Sequence, residues 1–257
     1  DSCRRVIRGA TAVVNCVGVL FESGKNTFDA TQAEGAGRVA RIAAEEGASR
    51  MVQVSAIGAD PESPSAYART KAAGEAAVRA AFPEAVILRP SIVFGTEDQF
   101  FNRFAAMARF TPALPVVGGD TRFQPVWVQD VAEAAAKACD GEVEPGVYEL
   151  GGPDVYTFRE LMRLMLKVIR RKRFLIDVPI PIAKIQGKIL QQLPEPLLTV
   201  DQVKLLAKDN VVSEGARGFA EIGIEPEAPE GIIESYLYAY RPYGQYATLT
   251  EGRTPQD

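Results

Sequence analysis

The chain contains no histidine. That absence excludes Ser-His-Asp and Cys-His nucleophile systems, histidine-ligated metals and histidine general bases, leaving tyrosine, lysine, serine and carboxylates for any acid–base work. Cysteine is scarce: Cys3, Cys16 and Cys139 lie far apart with no C-x-x-C pair, which argues against a zinc site and against a disulfide framework. No metal is expected. Long apolar runs are missing as well, since the longest, such as Ala12 to Leu20, fall short of the ~20 residues that cross a bilayer. Nor is there an excess of positive charge: 29 Lys and Arg against 33 Asp and Glu leave a net charge of −4, which argues against nucleic acid as the main partner. What remains is 257 residues, 47% hydrophobic and 24% charged, enough for one large domain or for a nucleotide domain with a smaller lobe.

The chain opens on Asp1 with D-S-C-R-R-V-I-R-G, a short helix with Ser2 or Asp1 as cap and Gly9 as its stop. A buried strand at 12–19 follows at once, which predicts a piece of a longer protein. A helix is expected at 32–47, a strand at 50–55, a helix through Tyr67 and a strand at 85–89. Short β-branched strands alternating with helices of ten to fifteen residues indicate βαβ units, hence an α/β fold with a doubly wound, Rossmann-type parallel sheet. Beyond Gly95 the texture changes to a helix near 98–109, a Pro/Gly-punctuated stretch P-A-L-P-V-V-G-G-D and a strand at 124–128. Asp130-x-x-Glu133 and Thr157-x-x-Glu160 each have a capping-box pattern ahead of a helix, with V-Y-E-L-G-G a strand between them. In the Pro- and Ile-rich region from about 174, Ile182, Ile185, Ile189 and Leu193 share one helical face. That face is expected to pack on the core as a lid or small lobe, the alternative being a helix that faces a membrane or partner. Residues 1–150 are read as a nucleotide-binding domain without its first strands, and 151–257 as a smaller, mostly helical lobe partly interleaved with it.

The chemistry is expected around Tyr67 and Lys71. In S-P-S-A-Y-A-R-T-K-A-A-G-E they stand one helical turn apart, so both point the same way. A lysine ammonium there can lower the phenol's pKa from its usual value of about 10 and let it exchange a proton. Ser55 ends the preceding strand, where a hydroxyl could bond a substrate carbonyl or simply terminate the strand. Asn15-Cys-Val-Gly18 ends the first strand with small residues that admit an adenine or ribose, or make a tight turn. Arg89-Pro-Ser-Ile-Val-Phe-Gly95 ends a third, with Pro90 removing an N–H where pairing stops.

Taken together, V-V-N-C-V-G, V-Q-V-S-A, Y-A-R-T-K, L-R-P-S-I-V-F-G and V-W-V-Q-D-V-A resemble extended or atypical short-chain dehydrogenase/reductases of the NAD-dependent epimerase type, in order and approximate spacing. More narrowly, A-F-P-E-A-V-I-L-R-P-S-I-V-F-G-T-E-D-Q-F-F-N-R-F-A, Q-P-V-W-V-Q-D-V and the P-x-P-I segment are similar to the dinucleotide-binding accessory subunit of respiratory complex I and its bacterial relatives. The resemblance implies bound NADP(H) or NAD(H), held structurally and not turned over. It puts Tyr67 and Lys71 at the nicotinamide ribose and Ser91 with Pro90, Ile92 and Val93 along the ring, with Cys16, Val17, Gly18, Val54 and Ser55 completing the cleft. It also implies complex I subunits as partners, and a peripheral location on the cytoplasmic face of a bacterial inner membrane or on the mitochondrial matrix side. The family's glycine-rich pyrophosphate turn should lie upstream of residue 1. Where active epimerases carry a run of Ser or Thr, V-S-A-I-G offers only Ser55, so little turnover is expected. The alternatives are an active epimerase or reductase working on a sugar nucleotide or similar carbonyl compound through Tyr67 and Lys71, and a regulatory NAD(P)H sensor. The basic run Lys167, Arg170, Arg171, Lys172, Arg173 and the tyrosine-rich segment 236–246 are expected to dock a partner, the basic run also suiting anionic lipid, unless they serve a helix end and the chain's own core.

Overall fold

A computed structural model describes residues 2–194, 196–242 and 244. Helix α1 (Ser2–Ile7) ends before Gly9, whose φ of +79° is the left-handed stop that glycine takes without strain. Strand β1 (Ala12–Asn15) stops well short of residue 19, because the Asn15 side chain turns the backbone, accepting from the Val17 N–H at 3.2 Å and donating to Gln53 at 2.8 Å. A single turn of π-helix (Asp29–Ala33), which the sequence pattern did not suggest, leads into α2 (Glu34–Glu45). Then come β2 (Arg50–Val54), α3 (Ala66–Ala81), β3 (Val86–Pro90), β4 (Val93–Phe94), α4 (Phe101–Phe110), β5 (Ala113–Val117), β6 (Arg122–Phe123) and β7 (Val126–Trp127). The remainder runs α5 (Val128–Asp140), β8 (Gly146–Leu150), β9 (Tyr156–Thr157), α6 (Phe158–Val168), β10 (Phe174–Val178), α7 (Ile180–Leu190), α8 (Val200–Leu205), α9 (Phe219–Ile222) and α10 (Pro229–Leu237).

The main sheet is parallel throughout, in the order β1-β2-β3-β8, as the alternating pattern requires. Its period of two sorts the core into layers. Met51 packs under α2 and α3 with Ala36, Ala40, Val78 and Phe82, while its neighbour Val52 packs on the other side with Val131, Ala134 and Ala138 of α5. The contact of α2 with α3 is close: a Cβ on Gly37 would stand 2.9 Å from that of Ala77, and one on Gly74 would stand 2.1 Å from the carbonyl oxygen of Gln32. A second core joins Phe94, Phe101 and Ala105 to Phe158, Leu161, Met162, Met165 and Leu237, so the lobe is built from both halves of the chain.

Several expectations change. The stretch P-A-L-P-V-V contains strand β5, which pairs in parallel with β10 in a two-stranded ribbon and leaves Pro115 on its outer face. Residue 128 starts α5 and does not end a strand; Trp127 is the N-cap, and the supposed capping residue Asp130 lies in the first turn, buried, accepting from the Glu227 N–H at 2.9 Å. The Thr157–Glu160 capping box forms as expected. The isoleucine face of α7 does not pack on the core: Ala183 and Gly187 are buried, and Ile182, Ile185 and Ile189 are 49%, 62% and 67% exposed. Much of the tyrosine-rich segment does the opposite. Tyr236 is buried and donates to Asp98 at 2.7 Å, Tyr240 donates to Asn102 at 3.0 Å, and Arg241 caps the Val168 carbonyl at 2.9 Å. Tyr243 and Tyr246 lie outside the described residues. In the basic run, Arg171 and Arg173 donate to the carbonyls of Tyr240 and Ala108, each at 2.8 Å.

Candidate functional site

Helix α3 starts at a full N-cap. Ser65 is extended, and its hydroxyl accepts from the Ala68 N–H at 3.3 Å. The alanine-rich body then carries Tyr67 and Lys71 toward the ends of β1 and β2, where ligands sit in open α/β sheets. Lys71 is buried and reaches the Val54 carbonyl at 3.4 Å. Its Nζ lies 5.8 Å from the centre of the Tyr67 ring and 3.2 Å from where a Cβ on Gly18 would stand. Glycine at 18 therefore keeps the backbone at the end of β1 open toward the ammonium. Cys16 and Val17 beside it are exposed. Phe28 meets the Tyr67 ring edge-on at 5.9 Å, and Gln32 of the π-helical turn is buried with its Oε1 unpartnered among the described residues.

Burial dominates the electrostatics here. It lowers Lys71 to about 8, partly opposed by Glu75 and Cys16. It raises Tyr67 to about 12. The expected lowering of the phenol by the lysine is thus absent from this arrangement, because Lys71 leans on the Val54 carbonyl and not on the phenol oxygen.

Ser55 is buried with its hydroxyl donating to Glu75 at 2.5 Å. Glu75 in turn receives both Nε and a terminal nitrogen of Arg89, at 2.8 Å and 2.7 Å. Arg89 also reaches Glu149 of β8 at 3.4 Å. This bidentate, buried set ties β2, α3, β3 and β8 together and occupies the Ser55 hydroxyl, the strand-end group expected to polarise a substrate. Pro90 ends β3 opposite Leu150. Ser91 donates to the Asn210 side chain at 2.7 Å, Ile92 accepts from the Val126 N–H at 2.9 Å, and Val93 opens β4.

Residues the sequence did not flag complete the site. Asp201 of α8 sits on the N-terminus of α3, accepting from the Ala66 and Tyr67 N–H groups at 2.9 Å and 3.1 Å and from the Ser65 hydroxyl at 2.6 Å. Asn210 joins Ser91 to the Ile57 carbonyl, the latter at 3.3 Å. Neither role had a signal: both act across more than a hundred residues of sequence, and the Thr199-x-x-Gln202 capping box around Asp201 marks only the start of α8. A cavity of about 540 Å³ runs beside α3, lined by Asp29, Arg69, Glu75, Arg79 and Arg89, and includes neither Tyr67 nor Lys71. The polar groups that converge at the β1 and β2 ends suit a ribose. Lys71 has three donors, one of them on Val54, and Gly18 leaves space where any side chain would fill it.

A family model for the RmlD substrate binding domain matches residues 12–197. The chain is 36% identical over 271 residues to the mitochondrial NADH dehydrogenase [ubiquinone] 1 alpha subcomplex subunit 9 of Arabidopsis thaliana, covering 100% of this chain and 67% of the relative. It is 34% identical over 179 residues to a ceramide reductase of Caulobacter vibrioides, covering 69% of this chain and 56% of that protein. The chain thus spans about two thirds or less of the length of these relatives. Among solved structures it is similar to the dTDP-glucose 4,6-dehydratase DesIV of Streptomyces venezuelae with NAD and TYD bound, at a TM-score of 0.69 and 18% identity, covering 100% of this chain and 79% of that one. That likeness shows the fold.

Proposed function

We propose that this chain, a member of the RmlD substrate-binding-domain family and an atypical short-chain dehydrogenase/reductase related to the complex I accessory subunit, is a nicotinamide-nucleotide-binding accessory subunit of respiratory complex I. The nucleotide, NADP(H) or NAD(H), is held and not turned over. Residues 1–150 carry it, and 151–257 supply a smaller lobe partly interleaved with that domain.

Lys71 would hold the ribose hydroxyls by charge-assisted bonds, with Tyr67 beside them, Gly18 and Val17 against the sugar, and the backbone of 90–93 along the ring. A bound nicotinamide supplies hydride chemistry wherever a substrate carbonyl is polarised next to it. Here one bond argues against that step: the Ser55 hydroxyl donates to Glu75, and a group already donating to a buried carboxylate is not free to polarise a carbonyl. A phenol raised to about 12 is also a poor partner for proton exchange near neutrality.

The location that fits is peripheral, at the cytoplasmic face of a bacterial inner membrane or the mitochondrial matrix side. No helix among the described residues is long and apolar enough to cross a membrane. The outward isoleucines of α7, flanked by exposed Lys184 and Lys188, support docking against complex I at the bilayer surface, with anionic headgroups as the countercharge.

The test has two arms. Native membranes are fractionated and probed for comigration with complex I, and the purified full-length protein is incubated with sugar nucleotides and other carbonyl compounds while reduced cofactor is followed by absorbance. Turnover near roughly 10 per second, with the protein wholly in the soluble fraction, overturns the subunit reading. A second reading, an active reductase, is favoured by the named reductase among the relatives and by the presence of both Tyr67 and Lys71.

A further inference from the structure

The N-terminus of α3 is closed from the far end of the chain. Four first-turn N–H groups of a helix lack intrahelical partners, and each needs one when the end is covered. Ser65 satisfies the Ala68 N–H, and the carboxylate of Asp201 takes those of Ala66 and Tyr67 together with the Ser65 hydroxyl. Asp201 also lies in the first turn of its own helix, α8, so its charge faces the positive ends of two helices at once. Burial opposes that charge, yet the bonds from Ser65, Tyr67 and Ala66 and the nearby Lys204 hold the carboxyl below its usual range. Lys204 donates to the Pro64 carbonyl at 2.9 Å beside the start of α3, whereas the Lys208–Asp60 pair at 3.8 Å is exposed and fixes nothing. On its other side α8 is seated tightly against α7, where a Cβ on Gly187 would stand 3.0 Å from the Val200 nitrogen.

We propose that Asp201 is a positioning residue through which the α7–α8 lobe sets the affinity of the site at Tyr67 and Lys71 for its nucleotide. The proposal rests on the nucleotide-binding reading above. With the clamp made, the first turn of α3 is fixed and Tyr67 and Lys71 meet the ribose without further ordering; without it, binding must also order that turn. Coupling of this kind is reciprocal, so a bound nucleotide must steady α8 by the same factor.

The experiment uses the full-length protein and its Asp201→Asn, Asp201→Ala and Lys208→Ala forms. Binding of NADPH and NADH is measured by calorimetry, and amide hydrogen exchange is followed at residues 66–67 and 200–206 with and without nucleotide. Both Asp201 forms should bind about tenfold more weakly, the typical loss of a helix cap, with Lys208→Ala unchanged. Exchange at Ala66 and Tyr67 should quicken in the Asp201 forms even without nucleotide. Nucleotide should slow exchange across α8 in the native protein and not in those forms. Equal affinity in all four proteins, or nucleotide slowing α8 equally with and without Asp201, overturns the proposal. A native protein that binds neither nucleotide overturns the reading beneath it instead, and does so before any variant is compared. If Asp201→Ala fails to fold, the near-isosteric Asp201→Asn, which keeps the volume and loses the charge, decides alone.

Discussion

Helices α3 and α7 both depart from the usual pattern of a surface helix, and they do so in opposite senses: α3 adds buried charge to a face that also carries Ala68 and Val78, while α7 shows apolar side chains to the outside. Helix α3 buries Thr70, Lys71 and Glu75 and exposes Arg69, Ala73, Ala76 and Arg79; helix α7 buries Ala183 and Gly187 and exposes Ile182, Ile185 and Ile189. A buried charge is stable only with a partner, and both charges on α3 have one: Lys71 on the Val54 carbonyl, Glu75 on Arg89 and Ser55. An exposed apolar stripe has no such support from within the chain. Ordinary amphipathicity says which face meets the core. A helix that hides charge is organised around polar partners inside the fold, and one that shows isoleucine has a stripe left uncovered by the described residues.

Glu75 holds the buried charges of α3 together, and its loss should have the largest effect on the fold. Replacing it with alanine strands Arg89 between Ser55 and Glu149, and losing one member of a buried pair costs about 3–5 kcal/mol. Urea unfolding should show that loss as a lower midpoint with little change in slope. A cost under about 1 kcal/mol would mean that water reaches Arg89 and that the charges on α3 are not a buried set at all.

How much of this was legible follows from range. The parallel sheet, α3 and the Thr157 cap were written in local pattern: period-two strands, an alanine run, a Thr-x-x-Glu. The convergence of Gly18, Val54, Tyr67 and Lys71 could be expected from strand ends and a four-residue spacing. What could not be read was anything fixed by a distant partner. Ser55 reads from sequence as either a substrate-facing hydroxyl or a strand terminator, because nothing near it announces Glu75 or Arg89. Asp130 looked like a cap and instead bonds the Glu227 N–H. Strand β5 was hidden by two prolines and exists through its pairing with β10. The α7 face reads as core-packing, with a membrane or partner as the alternative, because the pattern alone reports that a face is apolar and not what it meets.

Lys71 sharpens the other side of α3. In the full-length protein, Lys71→Ala should weaken nucleotide binding by on the order of 1.5–3 kcal/mol, the worth of bonds from a charged donor, as read by calorimetry. Unchanged affinity would remove Lys71 from the site. A gentler version uses pH. Burial has lowered Lys71 from 10.5 to about 8, so between those values the unfolded chain holds a proton that the folded chain has released. Stability without nucleotide should therefore rise with pH across that window, a slope that Lys71→Ala abolishes. Affinity for nucleotide, which uses the ammonium, should move the opposite way and fall as pH climbs through about 8. A flat binding profile from below to above that value would show that the neutral amine serves equally well.

The smallest effect on stability belongs to α7, and it is the most telling for the contrast. Ile185 and Ile189 are 62% and 67% exposed, so serine at both positions removes little buried area and should change unfolding free energy by no more than about 0.5 kcal/mol. Binding should not be spared. If that face meets complex I at the bilayer surface, the doubly substituted protein will fold, hold its nucleotide and yet leave the membrane fraction for the soluble one when native membranes are fractionated. Lys184→Glu with Lys188→Glu should do the same and make any residual association less sensitive to salt, because headgroup attraction is screened over about 8 Å at physiological ionic strength. A large loss of stability from the serine pair would show the isoleucines packing on the fold after all. Full retention on the membrane with normal stability would leave the outward stripe of α7 without a role in docking, and the opposition between the two helices would then be one of composition and not of function.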